Sequence, residues 1–272
     1  MIAIVTETLC CMSKADCAAH GITLQPLSCR VGQTIKKDRI ITAEQELPDG
    51  DGESIPPSEE EYRTRFTELL HTHDGVICIT VSRKFSESNR RATLAAAAFG
   101  GRVLVIDSGT VAGGLFLLAV RARHMVTLGY PMSRIKAELE SYKHNLRVTF
   151  TSRDVGVLQA ARRLSGPIAR EPDSALAHPV FHIADGSIGL YGFAEGDRET
   201  VRAMLSAFSA SYGASHTTPS HIVVHFANRT LVVDHLISCI RDLYPLATVY
   251  ERRITLAIQL NLGRDIVGLI GD

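Results

Sequence analysis

Two serines stand where an anion could be held. Ser86 follows a short apolar run at residues 76–81 and precedes an alanine-rich helical pattern at 89–99, which puts it beside a helix N-terminus. Free backbone N–H groups and the helix dipole at such a place favour an anion, a carboxylate for example. Ser54 also precedes a helix, one opened by the capping-box sequence Ser58-Glu59-Glu60-Glu61, and could supply a second hydroxyl. The simpler reading of either serine is a cap that satisfies the helix's own backbone. Two other clusters have the composition of metal ligands. His71-Thr72-His73-Asp74 ends an amphipathic helix, where histidine complements the dipole in a solvated last turn. Cys10, Cys11 and Cys17 cluster near the start, with Cys29, Cys78 and Cys239 scattered beyond and no Cys-x-x-Cys, which reads as small buried thiols in a reducing cytosol. No metal and no cofactor are expected.

The chain has no Gly-x-x-x-x-Gly-Lys-Ser/Thr loop, no Gly-x-Gly-x-x-Gly fingerprint, no His-Glu-x-x-His pair and no Gly-x-Ser-x-Gly elbow. These absences count against a nucleotide-binding enzyme, a zinc protease and an α/β-hydrolase. No nucleophile–base pair is legible, so nothing in the sequence marks an acid–base candidate such as His225 over any other.

The elements that must position the serines alternate. Residues 2–5, 22–26, 76–81 and 103–106 are short β-branched runs of the kind buried in parallel sheets. Between them lie helical patterns: 58–70 with Tyr62, Phe66, Leu69 and Leu70 on one face, 89–99 closed by Gly100-Gly101, 110–128 closed by Gly129, and one from Ser133 with Ile135, Leu139 and Tyr142 inward. This rhythm predicts a doubly wound parallel-sheet domain over residues 1–150, with ligand sites at the C-terminal ends of its strands. After it, Asp185-Gly186 signals a hairpin between 180–183 and 188–193, Asp197 opens a helix, and 222–226, 231–244, 247–250, 254–258 and 266–270 complete a smaller α/β domain over 151–272. The stretch 49–57 looks flexible. Lys and Arg number 29 against 29 Asp and Glu, which leaves no electrostatic footprint for nucleic acid or anionic membrane. No apolar run approaches the ~20 residues of a membrane span, and residues 1–5 read as a strand, so a cytoplasmic protein without membrane insertion is expected.

The opening Ile4-Val5-Thr6-Glu7-Thr8, then Pro26-Leu27-Ser28-Cys29-Arg30-Val31-Gly32, resembles the start of the DegV family, where a strand ending in Asp-Ser is followed by Pro-Leu-x-x-x-x-Gly. Glu53-Ser54-Ile55-Pro56-Pro57-Ser58 lies where that family has Thr-Ser-Gln-Pro-Ser, and Ser82-Arg83-Lys84-Phe85-Ser86 where it has Ser-Ser-x-Leu-Ser-Gly-Thr. Val105-Ile106-Asp107-Ser108 with Gly113-Gly114, and Asp154–Leu158 leading to Arg162-Arg163, follow in the same order. The resemblance implies a two-domain α/β protein holding one long-chain fatty acid in an internal tunnel, its carboxylate in the cleft between the domains. It implies a carrier and not a catalyst, with an ATP-dependent fatty acid kinase as partner. The family's head-group positions fall on Ser86, Ser54, Thr8, Arg163 and Gln259.

The likeness breaks at several of these positions. The family's Gly-Thr after the key serine is Glu87-Ser88, the Gly-Gly before its arginine is Ala161-Arg162, and its terminal histidine is Gln259, which can hydrogen-bond but cannot carry a proton. The apolar lid helix expected next is replaced at 166–173 by a segment with two prolines and three charges. Two other readings therefore stand beside the carrier: a regulatory interaction module that has lost lipid binding, and a phosphotransfer enzyme working in the cleft.

Overall fold

The computed structural model describes residues 1–40, 52–160, 164, 177–184, 186–213 and 218–272. They form two compact units. The first gathers the described residues of 1–145 with 255–257, and the second those of 146–254 and 258–272.

The first unit is built on β1 (Ile2–Glu7), α1 (Lys14–His20), β2 (Ile22–Gln25), β3 (Ser28–Val31), β4 (Thr34–Lys37), β5 (Gly52–Ile55), α2 (Glu59–Leu70), β6 (Gly75–Thr80), α3 (Ser88–Ala96), β7 (Val103–Asp107), α4 (Gly113–Thr127) and α5 (Met132–Tyr142). Four strands make a parallel sheet in the order β2-β1-β6-β7. Every residue of β6 is buried, as a strand covered on both faces requires. One face packs Ala3, Val5, Val76, Cys78 and Val103 against Tyr62 and Phe66 of α2 and Ala92 and Ala95 of α3; α4 packs on β1 and β6. Helix α2 starts where the capping box places it: Ser58 Oγ accepts from the Glu61 amide at 3.1 Å, and the Glu61 carboxylate accepts from the Ser58 amide at 2.8 Å.

Two local expectations are corrected here. Helix α4 begins at Gly113, not at Thr110, because Ser108 Oγ holds the Thr110 amide in a turn and Ala112 takes φ 54°. Gly114 is needed at that entry, since a Cβ there would lie 2.4 Å from Thr110 Oγ1. Residues 52–55 of the stretch that looked flexible form β5, which joins β3 and β4 in an antiparallel sheet of order β4-β3-β5. These strands are polar and largely exposed, with Arg30 paired to Glu53 across them, so no apolar alternation marks them in the sequence.

The second unit contains β8 (Arg147–Thr151), α6 (Val155–Ala160), β9 (Ala177–Ala184), β10 (Ser187–Glu195), α7 (Asp197–Ala210), β11 (His221–Phe226), α8 (Leu231–Leu243), β12 (Thr248–Arg253), α9 (Leu256–Leu262, shared with the first unit) and β13 (Val267–Gly271). Its six strands run β10-β9-β8-β13-β11-β12, and only β11 and β12 pair in parallel. Ile222, Val224 and Phe226 of β11 meet Met204 and Phe208 of α7 and Val233, Leu236 and Ile240 of α8. The strand expected at 247–250 is present as β12, and the one expected at 254–258 is replaced by helix α9. The run Ile254–Ile258 is too short and too apolar for its period to separate helix from strand. Gln259 therefore sits within a helix and does not end a strand.

Candidate functional site

The C-terminal ends of the adjacent strands β1 and β6 bring Glu7, Thr8 and the segment 82–88 to one edge of the parallel sheet. The chain leaves β6 through Ser82, whose carbonyl accepts the amides of Phe85 and Ser86. Ser86, half-buried, is thereby fixed two residues before α3. Its hydroxyl accepts the Ser88 amide at 3.1 Å and lies 3.0 Å from Ser88 Oγ. The N-cap residue of α3, Glu87, makes no side-chain capping bond, and the first turn carries no acidic residue. Helix α2 is closed by its box, whereas α3 meets the sheet edge with an open positive end. Glu87 does not fill that end: its carboxylate is exposed and paired with Arg90 at 2.6 Å.

Behind Ser88 lies Glu7, which is fully buried. Tyr62 Oη donates to its Oε1 at 2.8 Å and the Val81 amide to its Oε2 at 2.6 Å. Ser88 faces the same carboxyl with its hydroxyl. Burial pushes the Glu7 carboxyl above its ordinary value, opposed first by Ser88, then by Val81 and Tyr62. A second buried carboxyl, Asp38, stands behind Thr8. It accepts the Thr8 hydroxyl at 2.6 Å and the Ala257 amide at 2.9 Å, and burial pushes it upward as well. The Cys29 thiol beside it is pushed up to about 12 by burial and by Asp38. Among the described residues neither carboxyl takes part in a salt bridge.

The five residues singled out from sequence fare differently. Ser86 sits at an open helix N-terminus. Thr8 is buried with its proton committed to Asp38. Ser54 lies on β5, paired with Cys29 of β3, so the helix N-terminus argued for it belongs to Ser58. Gln259 is buried on α9 in the second unit. Arg163, like the proline-rich segment 166–173, lies outside the described residues. Sequence reasoning missed Ser88, Asp38 and Arg91, whose guanidinium ties α3 to the Pro56 and Pro57 carbonyls at 2.9 and 3.3 Å. Glu7 had one signal, a charged residue at the end of an apolar strand. No group of three or more His, Cys, Asp or Glu among the described residues could hold a metal ion, and no helix among them is long and apolar enough to cross a membrane.

Hydroxyls and an open helix end at the C-terminal edge of a parallel sheet, joined to a second sheet-and-helix unit, define an α/β protein with an anion-receptive edge. The comparisons name the family. The model of the DegV family of uncharacterised proteins matches residues 1–271, and the chain belongs to that family. A DegV domain-containing protein of Deinococcus radiodurans is 28% identical over 221 residues, 79% of this chain and 78% of its own. The structure of a DegV family protein from Thermus thermophilus, described for its fatty acid binding, superposes with a TM-score of 0.87 at 22% identity, covering 99% of this chain and 98% of that one. A stearic acid-binding protein of Eubacterium ventriosum matches with a TM-score of 0.87 at 19% identity, covering 100% and 98%.

Proposed function

We propose that this protein is a carrier that binds a long-chain fatty acid, with the acid's carboxylate held at Ser86 on the open N-terminus of α3. The observation that carries the reading is the contrast between the two helices: α2 is closed by its own capping box, and α3 has no side-chain cap at its N-cap residue and an adjacent half-buried hydroxyl. A hydrogen bond to a charged group contributes about 1.5–3 kcal/mol, which orients the head group. The tail supplies most of the affinity, at about 0.8 kcal/mol per buried methylene before association costs. The fatty acid binding described for the Thermus relative and the stearic acid named for the Eubacterium one support the ligand class. The carrier acts by presenting the carboxylate to an ATP-dependent fatty acid kinase and performs no chemistry itself.

The test is mass spectrometry of the purified protein under native and denaturing conditions. A non-covalent adduct with the mass of a long-chain acid is expected, lost on denaturation. A clean unliganded mass together with no uptake of added palmitic or oleic acid would refute lipid binding. Acyl phosphate formation with a fatty acid kinase from the same source checks the carrier role, and acyl phosphate made without any kinase would refute it.

A further inference from the structure

In the second unit a buried histidine stands without a hydrogen bond. His225 of β11 is 2% exposed, and among the described residues neither of its ring nitrogens meets a donor or an acceptor. Its place follows from the register of the sheet. His225 lies beside Arg252 of β12 and Gly268 of β13, Gly268 beside Phe150 of β8, and Phe150 beside Phe181 of β9. Residues paired across a sheet share a face, and neighbours along a strand alternate. Helices α7 and α8 pack on the face that carries Ile222, Val224 and Phe226, so His225 is on the other one. A flanking row on that face is Val223, Ile270, Val148 and Ile183, all apolar.

The strand between His225 and Phe150 carries no side chain at this level. A Cβ on Gly268 would sit 3.5 Å from His225 Cβ, 3.7 Å from Ile270 Cδ1 and 3.9 Å from Phe150 Cβ, ordinary contact distances. Neither a clash nor a left-handed backbone therefore calls for glycine there. Glycine inside a central strand weakens it and marks a place where something approaches the backbone closely. A buried polar atom without a partner is destabilising, and native structures retain few. Burial pushes the His225 imidazole down to about 3; the Arg252 backbone opposes this without completing a hydrogen bond, and the Arg252 charge adds to it. The ring is thus neutral at physiological pH, with one nitrogen to donate and one to accept. A hydroxyl can meet such a ring in either tautomer, whereas a methylene offers it nothing.

We infer that His225 is a specificity-determining residue for the acyl chain: its imidazole hydrogen-bonds a hydroxyl carried on the chain beside Gly268, and the preferred ligand is a monohydroxy long-chain acid. The inference rests on the proposed binding of a long-chain acid and not on where the carboxylate of that acid is held. The apolar row of Val223, Ile270 and Val148 takes methylenes, and His225 gives that face a point where one oxygen is favoured. An acid without the hydroxyl leaves the buried imidazole unpaired. The hydroxy acid therefore binds tighter by about five- to tenfold, the worth of one neutral hydrogen bond.

The experiment is titration calorimetry of the full chain with stearic acid and with a positional series of monohydroxystearic acids. In wild type one position of the hydroxyl is expected to bind about five- to tenfold tighter than stearic acid. His225→Leu should bring that ratio close to one, and His225→Gln, which keeps a donor and an acceptor, should restore part of it. Nitrogen NMR of histidine-labelled wild type reads the same contact without any variant. The assigned His225 ring resonances should shift further with the preferred hydroxy acid than with stearic acid. Wild type that binds stearic acid as tightly as every hydroxy acid, equal ring shifts with both, or a preference that survives in His225→Leu overturns the role of His225 and leaves fatty acid binding standing. Wild type that binds none of these acids overturns both.

Discussion

Replacing Ser86 by alanine should cost the protein twice, and the two losses can be separated. Ser86 Oγ accepts the first-turn amide of Ser88, so its removal leaves an α3 donor without its acceptor. Losing a serine that serves a helix start costs about 0.5–2 kcal/mol of stability. In the bound state the same oxygen donates to the ligand carboxylate, and losing that bond costs about 1.5–3 kcal/mol of affinity, roughly a ten- to 150-fold rise in Kd. Ser58→Ala is the matched control. Ser58 caps α2 through the Glu61 amide at 3.1 Å, so it should lose a similar stability and no affinity. Urea unfolding gives the first quantity and calorimetry with palmitic acid the second. Ser86→Ala with wild-type affinity would remove Ser86 from the site. Equal affinity losses in Ser86→Ala and Ser58→Ala would show that binding reports only on helix stability, and the reasoning from the open α3 end would fail.

Gly114→Ala should destabilise by about 1–3 kcal/mol, since its Cβ would lie 2.4 Å from Thr110 Oγ1; in a denaturant cycle with Thr110→Ala the double variant should lose less than the sum. Glu7 and Asp38 are both raised by burial, so the stability they contribute is complete below the ordinary carboxyl range and is lost as pH rises through their folded values. Hydrogen exchange of β1 should therefore quicken with pH beyond its intrinsic rate, and Glu7→Gln with Asp38→Asn should flatten the trend. His225 has the opposite sign: burial lowers it from 6.5 to about 3, so its contribution is present above 6.5 and is lost as pH falls toward 3, by up to about 1.4 kcal/mol per pH unit. Exchange protection in β11 should fall with acid in wild type and hold in His225→Gln.

What the sequence disclosed follows from where each signal is encoded. Strands β1 and β6 are legible because a parallel strand buried on both faces is a nearly unbroken apolar run, and the edge strand β7 because its first four residues are Val103, Leu104, Val105 and Ile106. Helix α2 is legible because its cap is written in four consecutive residues. The sheet of β3, β4 and β5 is not, because its pairing rests on cross-strand charges such as Arg30 with Glu53 and leaves no apolar period. Helix α9 was misread because five apolar-rich residues fit either period. Ser86 was found by a local pattern, a strand followed by a helix. Its support was not: Glu7 meets Tyr62 across 55 residues and Val81 across 74, and Asp38 meets Ala257 across 219. Such contacts exist only once β1 lies beside β6 and the chain returns at residues 255–257.

Among the described residues no lysine or arginine acts on Glu7, and that bears on what the residue does. A buried carboxyl without a counter-charge costs free energy in its charged form, and Tyr62, Val81 and Ser88 offset only part of that cost, since the net direction remains upward. A glutamine could accept the Val81 amide with its one oxygen and donate to Tyr62 Oη with its nitrogen, without a charge, so packing alone does not call for an acid. An arginine beside it would stabilise the anion and lock it. The arrangement observed does neither: it buries the carboxyl under the Tyr62 hydroxyl and the Val81 amide and leaves its neutral form favoured by burial. Asp38 repeats the pattern one residue further along, with Thr8 in the place of Ser88. But the Thr8 hydroxyl is buried, gives its proton to Asp38 and accepts from the Leu27 amide at 3.4 Å, so it is committed to the core on both sides, whereas Ser86 beside Ser88 is half-buried and can meet a ligand.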